Sequence, residues 1–201
     1  MAPLPDCILA TANLHKVGEI RAVLAPLGWH LVTARERGVE EEIPETGDTL
    51  EANAVEKALY VARRTGSLAL ADDTGLEVDL LEGRPGVYSS RYAGPGATYA
   101  QNVEKLLREL AGTSAEERTA RFRTVVALAR PGKILVVAEG KLEGRITHGL
   151  RGEGGFGYDP VFLVPELGRT LAELTLAEKN RTSHRARALA EFVARARSLR
   201  A

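Results

Sequence analysis

Apolar and polar residues change their period several times along the chain, and each change marks an element. Cys7 to Ala12 is a short apolar run ending at Asn13, a residue type favoured at helix N-caps, and Val17, Ile20, Leu24 and Leu27 then recur at helical spacing. The pattern predicts a strand, a cap and a helix in that order. A second helix is predicted to open at Asp48, with Glu51 three residues on in a capping-box arrangement, and to run through AVEKALYVARR to Gly66. SLALADD is an apolar segment that ends in two carboxylates, and after a break at Thr74-Gly75 the alternation of LEVDLL predicts a further strand. Asp72 and Asp73 are thereby expected at a strand end.

Thr98 and Gln101 form another capping box ahead of NVEKLLREL, while ARFRTVVALAR, the turn PGK and ILVVAEGKLEGRI predict a long antiparallel hairpin. Near the C-terminus Leu189, Phe192, Val193, Ala196 and Leu199 make an apolar stripe. Arginines fill the opposite face, and Arg195 and Arg197 read as a solvated face that suits the helix dipole rather than as an RNA-binding surface. Strands alternating with helices give an α/β class with a mixed sheet flanked by helices. No repeat, low-complexity tract or linker interrupts the pattern, so a single domain is expected over residues 1–201.

Composition narrows the partners. A chain of 201 residues buries roughly 70% of its unfolded surface, enough for a self-sufficient core. Basic and acidic residues both count 27, so no global charge favours a nucleic-acid polymer, and an anion site has to be built from local residues. The one cysteine, Cys7, cannot form an internal disulfide and sits beside Ile8 and Leu9, as a buried small hydrophobe would. The opening MAPLPDCILA lacks a basic segment followed by a long apolar one, and no run approaches the ~20 apolar residues of a membrane span. A cytoplasmic protein with no membrane partner is the expectation.

Candidate chemistry gathers at five places. In TANLHK, residues 11–16, a strand passes through a small polar turn into a helix, which aims backbone N–H groups and a positive dipole end outward; Thr11, Asn13 and Lys16 then either hold an anion or form an ordinary capped helix with a surface lysine. In EEEIPETGDTLEANAVEK the carboxylates Glu40, Glu41, Glu42, Glu45, Asp48 and Glu51 stand near a helix start, where capping and solvation account for most of them. Glu45 differs, because Pro44 and Thr46-Gly47 place it in a rigid turn. A hard cation such as Mg²⁺ takes few carboxylates plus phosphate oxygens, and ADDTG offers a second source in Asp72 and Asp73, which point to opposite faces of a strand. Lys57, Lys179, His184 and Arg185 are surface charges taken singly. Joined with two acids and a glycine loop, they point to a polyphosphate site with a metal.

The fifth place is RGEGGFGYDP, whose Gly152, Gly154 and Gly157 match the spacing G-x-G-x-x-G of dinucleotide-binding turns. That fingerprint needs a helix after the glycines, whereas Tyr158-Asp159-Pro160 is followed by the β-rich run VFLVP. The Rossmann reading fails. The glycines instead predict a close backbone approach, with Phe156 and Tyr158 available to stack on a flat ring.

Five segments in this order, TANLHK, ETGDTLEANAVEKA, ADDTGLEVDLLEGRPGVYSSRYAG, GGFGYDPVF and AEKNRTSHRARAL, resemble the inosine triphosphate pyrophosphatase family, also described as dITP/XTP pyrophosphatases. The resemblance covers nearly the whole chain. It implies an elongated, usually homodimeric α/β protein with a long twisted sheet and a site in a cleft between two lobes. It also implies Mg²⁺-dependent conversion of ITP, dITP or XTP to the monophosphate and pyrophosphate. By the same resemblance Thr11, Ala12, Asn13, Leu14, His15 and Lys16 line the triphosphate pocket, Glu45 and Asp73 are metal-side carboxylates, and Asp73 is the catalytic proton acceptor. Lys57 meets phosphate, Thr74 contacts substrate, and Phe156, Gly157, Tyr158 and Asp159 with Lys179, His184 and Arg185 enclose the nucleoside. Selectivity is expected from donors to the purine 6-oxo group, supplied by Arg185 or by backbone near residues 156–159. The competing expectations are a Maf-like pyrophosphatase for other modified nucleotides, a phosphatase releasing orthophosphate, and a non-catalytic nucleotide sensor.

Overall fold

The computed structural model describes residues 6–198. Leu199 of the apolar stripe, and the first five residues of MAPLPDCILA, lie outside the described residues. Eight strands form one mixed sheet in the order β2-β1-β3-β5-β6-β7-β8, with β4 paired to β3. The strands are β1 (Asp6–Leu9), β2 (His30–Thr33), β3 (Leu68–Val78), β4 (Pro85–Gly86), β5 (Thr119–Arg130), β6 (Lys133–Ile146), β7 (Phe162–Val164) and β8 (Arg169–Thr170). β1 pairs parallel with both β2 and β3, in register Cys7 to Leu31 and Cys7 to Leu68, whereas β3–β4, β6–β7 and β7–β8 are antiparallel. Only Pro131 and Gly132 separate β5 from its neighbour β6, and so short a loop joins antiparallel strands. The helices are α1 (Leu14–Leu24), α2 (Leu50–Thr65), α3 (Tyr99–Glu109), α4 (Leu176–Thr182) and α5 (His184–Ser198).

Local chemistry sets most of the boundaries. The Asn13 side chain accepts from the N–H groups of His15 and Lys16, which caps α1, and α3 begins with the expected capping box of Thr98 and Gln101. α2 ends at Gly66, whose φ of 67° is a left-handed conformation that glycine adopts without steric cost. Its other end is corrected. The cap is Thr49 rather than Asp48, since the Thr49 hydroxyl accepts from Ala52 N–H and leaves Glu51 in the first turn. The expected break at Thr74-Gly75 is also absent. β3 runs unbroken for 11 residues, with Thr74 half-buried and β-branched and Gly75 buried, so Asp72 and Asp73 lie within the strand and not at its end.

The residues divide into two compact units. The first takes the described residues up to Asp73, Thr124–Gly140 and those from Arg185 on. Its core packs Cys7, Leu9, Val17, Ile20, Leu24 and Leu70 with Leu189, Phe192 and Ala196 from the apolar stripe of α5. Val193 packs against this core and Arg195 and Arg197 stay exposed, as the stripe predicts. Cys7 is fully buried, and burial pushes its thiol up to about 12, which makes it an inert hydrophobe. The second unit holds Thr74–Arg123 and Lys141–His184, with a core of Leu76, Val103, Leu106, Phe122, Tyr158 and Phe162 among others. No helix among the described residues is long and apolar enough to cross a membrane.

Candidate active site

In the first unit four elements and one loop bring their charged residues together. β3 supplies Asp72 and Asp73, α1 supplies Lys16 and Glu19, α2 supplies Asn53 and Lys57, α5 supplies Arg185, and Glu45 stands on the loop before α2. Lys57 Nζ lies 2.6 Å from Glu45 Oε1 and 3.3 Å from Asp73 Oδ1, so the two candidate metal-side carboxylates converge on one ammonium. Asn53 Nδ2 donates to Asp73 Oδ2 at 3.1 Å. Asp72 takes a different set. Its Oδ2 is 3.2 Å from Lys16 Nζ and 3.1 Å from Arg185 Nε, and the Arg185 guanidinium also pairs closely with Glu19. Neighbouring residues of a strand face opposite ways, which is how two consecutive aspartates serve two groups of cations.

The environment separates the two acids further. Burial opposes charge on Asp72, yet Lys16, Arg185 and Lys57 hold its carboxyl far below the usual carboxylate range. Burial raises the Asp73 carboxyl above its ordinary value; Lys57 and Lys16 pull it down, the Glu45 charge pushes it up, and the net direction is upward. Lys57 is itself buried, which works against its charge, but Asp73, Glu45 and Asp72 more than offset this and keep it protonated. Lys16 moves the other way. Burial lowers it, Asp72 restores part of the loss, and the nearby Lys57 and Arg185 lower it again. Asp72 is thus a fixed anion, whereas Asp73 is the carboxylate whose proton affinity is tuned upward.

The TANLHK turn departs from its expected role in one respect. The N–H groups of His15 and Lys16 donate to Asn13 Oδ1 at 3.0 and 3.4 Å, and Asn13 N–H donates to Thr11 Oγ1 at 3.2 Å. Those three backbone donors serve the helix cap. What the turn offers outward is side chains, with Ala12, Leu14 and His15 exposed and Lys16 directed at Asp72.

In the second unit the glycine-rich loop folds back on its own chain. A Cβ on Gly152 would lie 2.6 Å from Ala172 C, one on Gly154 would lie 2.9 Å from Ala172 O, and one on Gly155 would lie 2.1 Å from Asp159 Oδ2. The close approach foreseen for Gly152 and Gly154 is therefore made to protein backbone and that of Gly155 to Asp159, while a Cβ on Gly157 would meet nothing within 4 Å. Asp159, buried, accepts from Phe156 N–H at 2.9 Å and from Lys179 Nζ at 2.8 Å, and Lys179 Nζ also stands 5.2 Å from the Phe156 ring centroid. A three-residue 3-10 turn at Asp159–Val161 leads straight into β7, and no α-helix follows the glycines. Tyr158 is corrected from a stacking residue to a core residue, since it is buried and its hydroxyl donates to Ser89 O at 2.9 Å. Phe156 remains half-buried, with Tyr99 beside it at 6.0 Å between ring centroids. His184 stacks on Phe122 at 4.4 Å, which places it against the core of this unit.

A model of the Ham1 family matches residues 7–195, which spans both sets of residues. The chain is 48% identical to the dITP/XTP pyrophosphatase of Bacillus licheniformis over 95% of this chain and 97% of that one. It is 49% identical to the dITP/XTP pyrophosphatase of Bacillus subtilis, over 94% and 96% of the two chains. The chain belongs to the Ham1 family. A HAM1 protein from Coxiella burnetii shares the fold with a TM-score of 0.87 and 40% identity, covering 98% of this chain and all of that one. Membership bears out the resemblance read from the five segments, and the mixed sheet of the structure agrees with the expected class.

Within this Ham1 fold one placement changes the expectation for a single residue. Arg185 was expected to enclose a nucleoside, but its guanidinium lies with Glu19 and Asp72 in the carboxylate cluster of the first unit. Glu19 and Asn53 carried no signal in the sequence. A glutamate on a helix face and an asparagine inside a helix both read as solvated positions, yet here Glu19 is 5% and Asn53 1% exposed.

Proposed function

We infer that the protein hydrolyses the α–β phosphoanhydride of non-standard purine nucleoside triphosphates, ITP, dITP and XTP, releasing the monophosphate and pyrophosphate. The observation that carries this reading is the convergence of Glu45 and Asp73 on Lys57, in a chain nearly half identical to two dITP/XTP pyrophosphatases. A phosphate-handling site needs fixed cations and an acid of raised proton affinity, and the cluster supplies both. Mg²⁺ dependence and a homodimer come with the family resemblance, and with the cytoplasmic location expected from the sequence they belong to the same proposal.

The donor set fits Mg²⁺. Glu45 and Asp73 both reach Lys57 Nζ, and this ion favours one or two carboxylates completed by phosphate oxygens and water. The charge balance points the same way. The cations Lys16, Lys57 and Arg185 face the carboxylates of Glu19, Glu45, Asp72 and Asp73, so an incoming polyphosphate meets an excess of negative charge unless a cation accompanies it. Glu45 and Asp73 are the residues that would hold the ion, which would neutralise charge on the pyrophosphate leaving group.

Asp73 receives a proton from water as the water oxygen bonds to the α-phosphorus, and the bond from that phosphorus to the bridging oxygen breaks, its electron pair leaving with pyrophosphate. Asp73 is held between Lys57 Nζ and Asn53 Nδ2, which fixes its carboxylate for the acceptor role this step needs. Lys57, kept charged by its carboxylates, and Lys16 stabilise the negative charge that builds on the phosphates. The Phe156 loop of the second unit carries the chemistry of base recognition. Of the two donor sources for the 6-oxo group the backbone at Gly157 and Tyr158 is favoured, since Arg185 is engaged with Glu19 and Asp72, and the N–H groups of Phe156 and Asp159 donate within the loop.

The test is a panel of ITP, dITP, XTP, GTP, ATP and dTTP with Mg²⁺, scoring pyrophosphate against orthophosphate. Pyrophosphate from the first three, with ATP turned over far more slowly, is the expected result. Orthophosphate as the product, preference for dTTP, or tight ITP binding without turnover would each replace this reading with one of its competitors.

A further inference from the structure

The loop that carries Glu45 is bound to α2 one residue at a time. Glu45 Oε1 receives Lys57 Nζ at 2.6 Å. Thr46 donates twice to Glu56, from its N–H to Oε2 at 2.7 Å and from its hydroxyl to Oε1 at 2.8 Å. Gly47 N–H donates to Asn53 Oδ1 at 2.8 Å. Three consecutive loop residues therefore meet Lys57, Glu56 and Asn53, which lie at i+4, i+3 and i of the helix and share one face. Asn53 does more than end the series, because its other amide atom, Nδ2, donates to Asp73 Oδ2 at 3.1 Å. One buried side chain thus links the Glu45 loop to the second carboxylate of the pair. Gly47 is fitted to this contact as well: a Cβ there would lie 2.6 Å from Ala52 Cβ and 2.9 Å from Asn53 Oδ1.

We propose that Asn53 and Glu56 are positioning residues, which fix Gly47 and Thr46 on α2 and so hold the Glu45 carboxylate at Lys57 in step with Asp73. The inference rests on the reading of Glu45 as a metal-side carboxylate. Glu45 is a surface residue with 37% of its side chain exposed, and a long carboxylate on an unattached loop samples many rotamers. The two bonds from Thr46 and the one from Gly47 remove that freedom before any ligand arrives. Neither Asn53 nor Glu56 has to touch substrate for this. Their effect passes through the position of Glu45 and, for Asn53, also through the orientation of Asp73.

Glu56→Ala and Asn53→Ala separate this role from plain structure. Glu56 lies at the helix surface, so its variant keeps the fold even where the loss of buried Asn53 lowers the melting temperature. Three readouts are taken on each folded variant: amide hydrogen exchange of residues 45–48 in metal-free protein, the Mn²⁺ dissociation constant by electron paramagnetic resonance, and kcat with KM for ITP. Exchange of 45–48 is expected to speed up, with Mn²⁺ affinity and kcat each falling about 10-fold or more and KM holding near its wild-type value. Faster exchange with wild-type Mn²⁺ affinity and wild-type kcat would overturn the positioning role. Wild-type protein that binds Mn²⁺ yet releases no pyrophosphate from ITP would refute the assigned reaction instead, and the variants' Mn²⁺ affinities would still decide the inference.

Discussion

Asp72 and Asp73 are adjacent in β3, and they divide the three cations of the cluster between them in direct contacts: Lys16 and Arg185 go to one, Lys57 to the other. The division gives each aspartate a separate task and makes the tasks separable by mutation.

Asp73→Asn removes the proton acceptor and keeps its shape. Positioned base catalysis is worth ~10²–10⁴-fold, so kcat for ITP is expected to fall by about that factor. Steady-state pyrophosphate release measures it, and a variant with wild-type kcat would take Asp73 out of this role.

Asp72→Asn is a stability mutation first. It leaves Lys16 and Arg185 buried beside a neutral amide, and breaking a buried pair in this way costs ~3–5 kcal/mol. The sign with pH follows from the depressed carboxyl. Its stabilisation is fully present above the unfolded-state pKa of about 4 and is lost as pH falls toward the folded-state value. Urea unfolding should therefore show a gap between wild type and variant that is constant near neutrality and narrows below about pH 4. A gap that widens on acidification contradicts the depressed carboxyl.

Phe156→Ala and Tyr158→Phe should part company. Loss of the half-buried Phe156 ring is expected to raise KM for ITP more than it lowers kcat. Tyr158→Phe deletes a donor to Ser89 O, leaves that carbonyl without this bond, and is expected to cost ~1–3 kcal/mol of stability with KM unchanged. A rise in KM for the Tyr158 variant would restore that residue to the base-binding surface.

Gly155→Ala tests the loop from behind. A methyl group there would sit 2.1 Å from Asp159 Oδ2, the atom that holds both Phe156 N–H and Lys179. KM for ITP should rise as in the Phe156 variant. Hydrolysis of a triphosphate lacking the base should be unaffected, and a parallel loss on that substrate would show a general folding defect.

Legibility in the sequence followed the range of the interaction. The caps of α1 and α3, the end of α2 at Gly66 and the β5–β6 turn were readable because each is decided within four residues. The unbroken course of β3 was not, since Thr74-Gly75 has turn composition and lies between the pairing with β1, which ends at Leu70, and the pairing with β4, which begins at Leu76. Tyr158 looked like a stacking ring because nothing local shows that Ser89, 69 residues away, receives its hydroxyl. Arg185 was singled out as functional, but its partners Asp72 and Glu19 lie 113 and 166 residues distant, so its neighbourhood could not be read. Asn53 and Glu56 were missed for a related reason. Their partners are on a loop whose path is decided by the fold and not by the ETGD composition.

The set Lys16, Asp72, Arg185 and Glu19 joins two cations to two anions, so as a group it carries no formal charge. Its inheritance is constrained as a unit. Any one replacement by a neutral residue leaves the other three with a net charge, so neutral residues should be tolerated at these positions mainly as paired changes, at sites up to 166 residues apart in the chain. Single-site libraries built on this protein should return mainly residues of the same charge there, while libraries that vary one cation and one anion together should also recover folded chains with neutral residues.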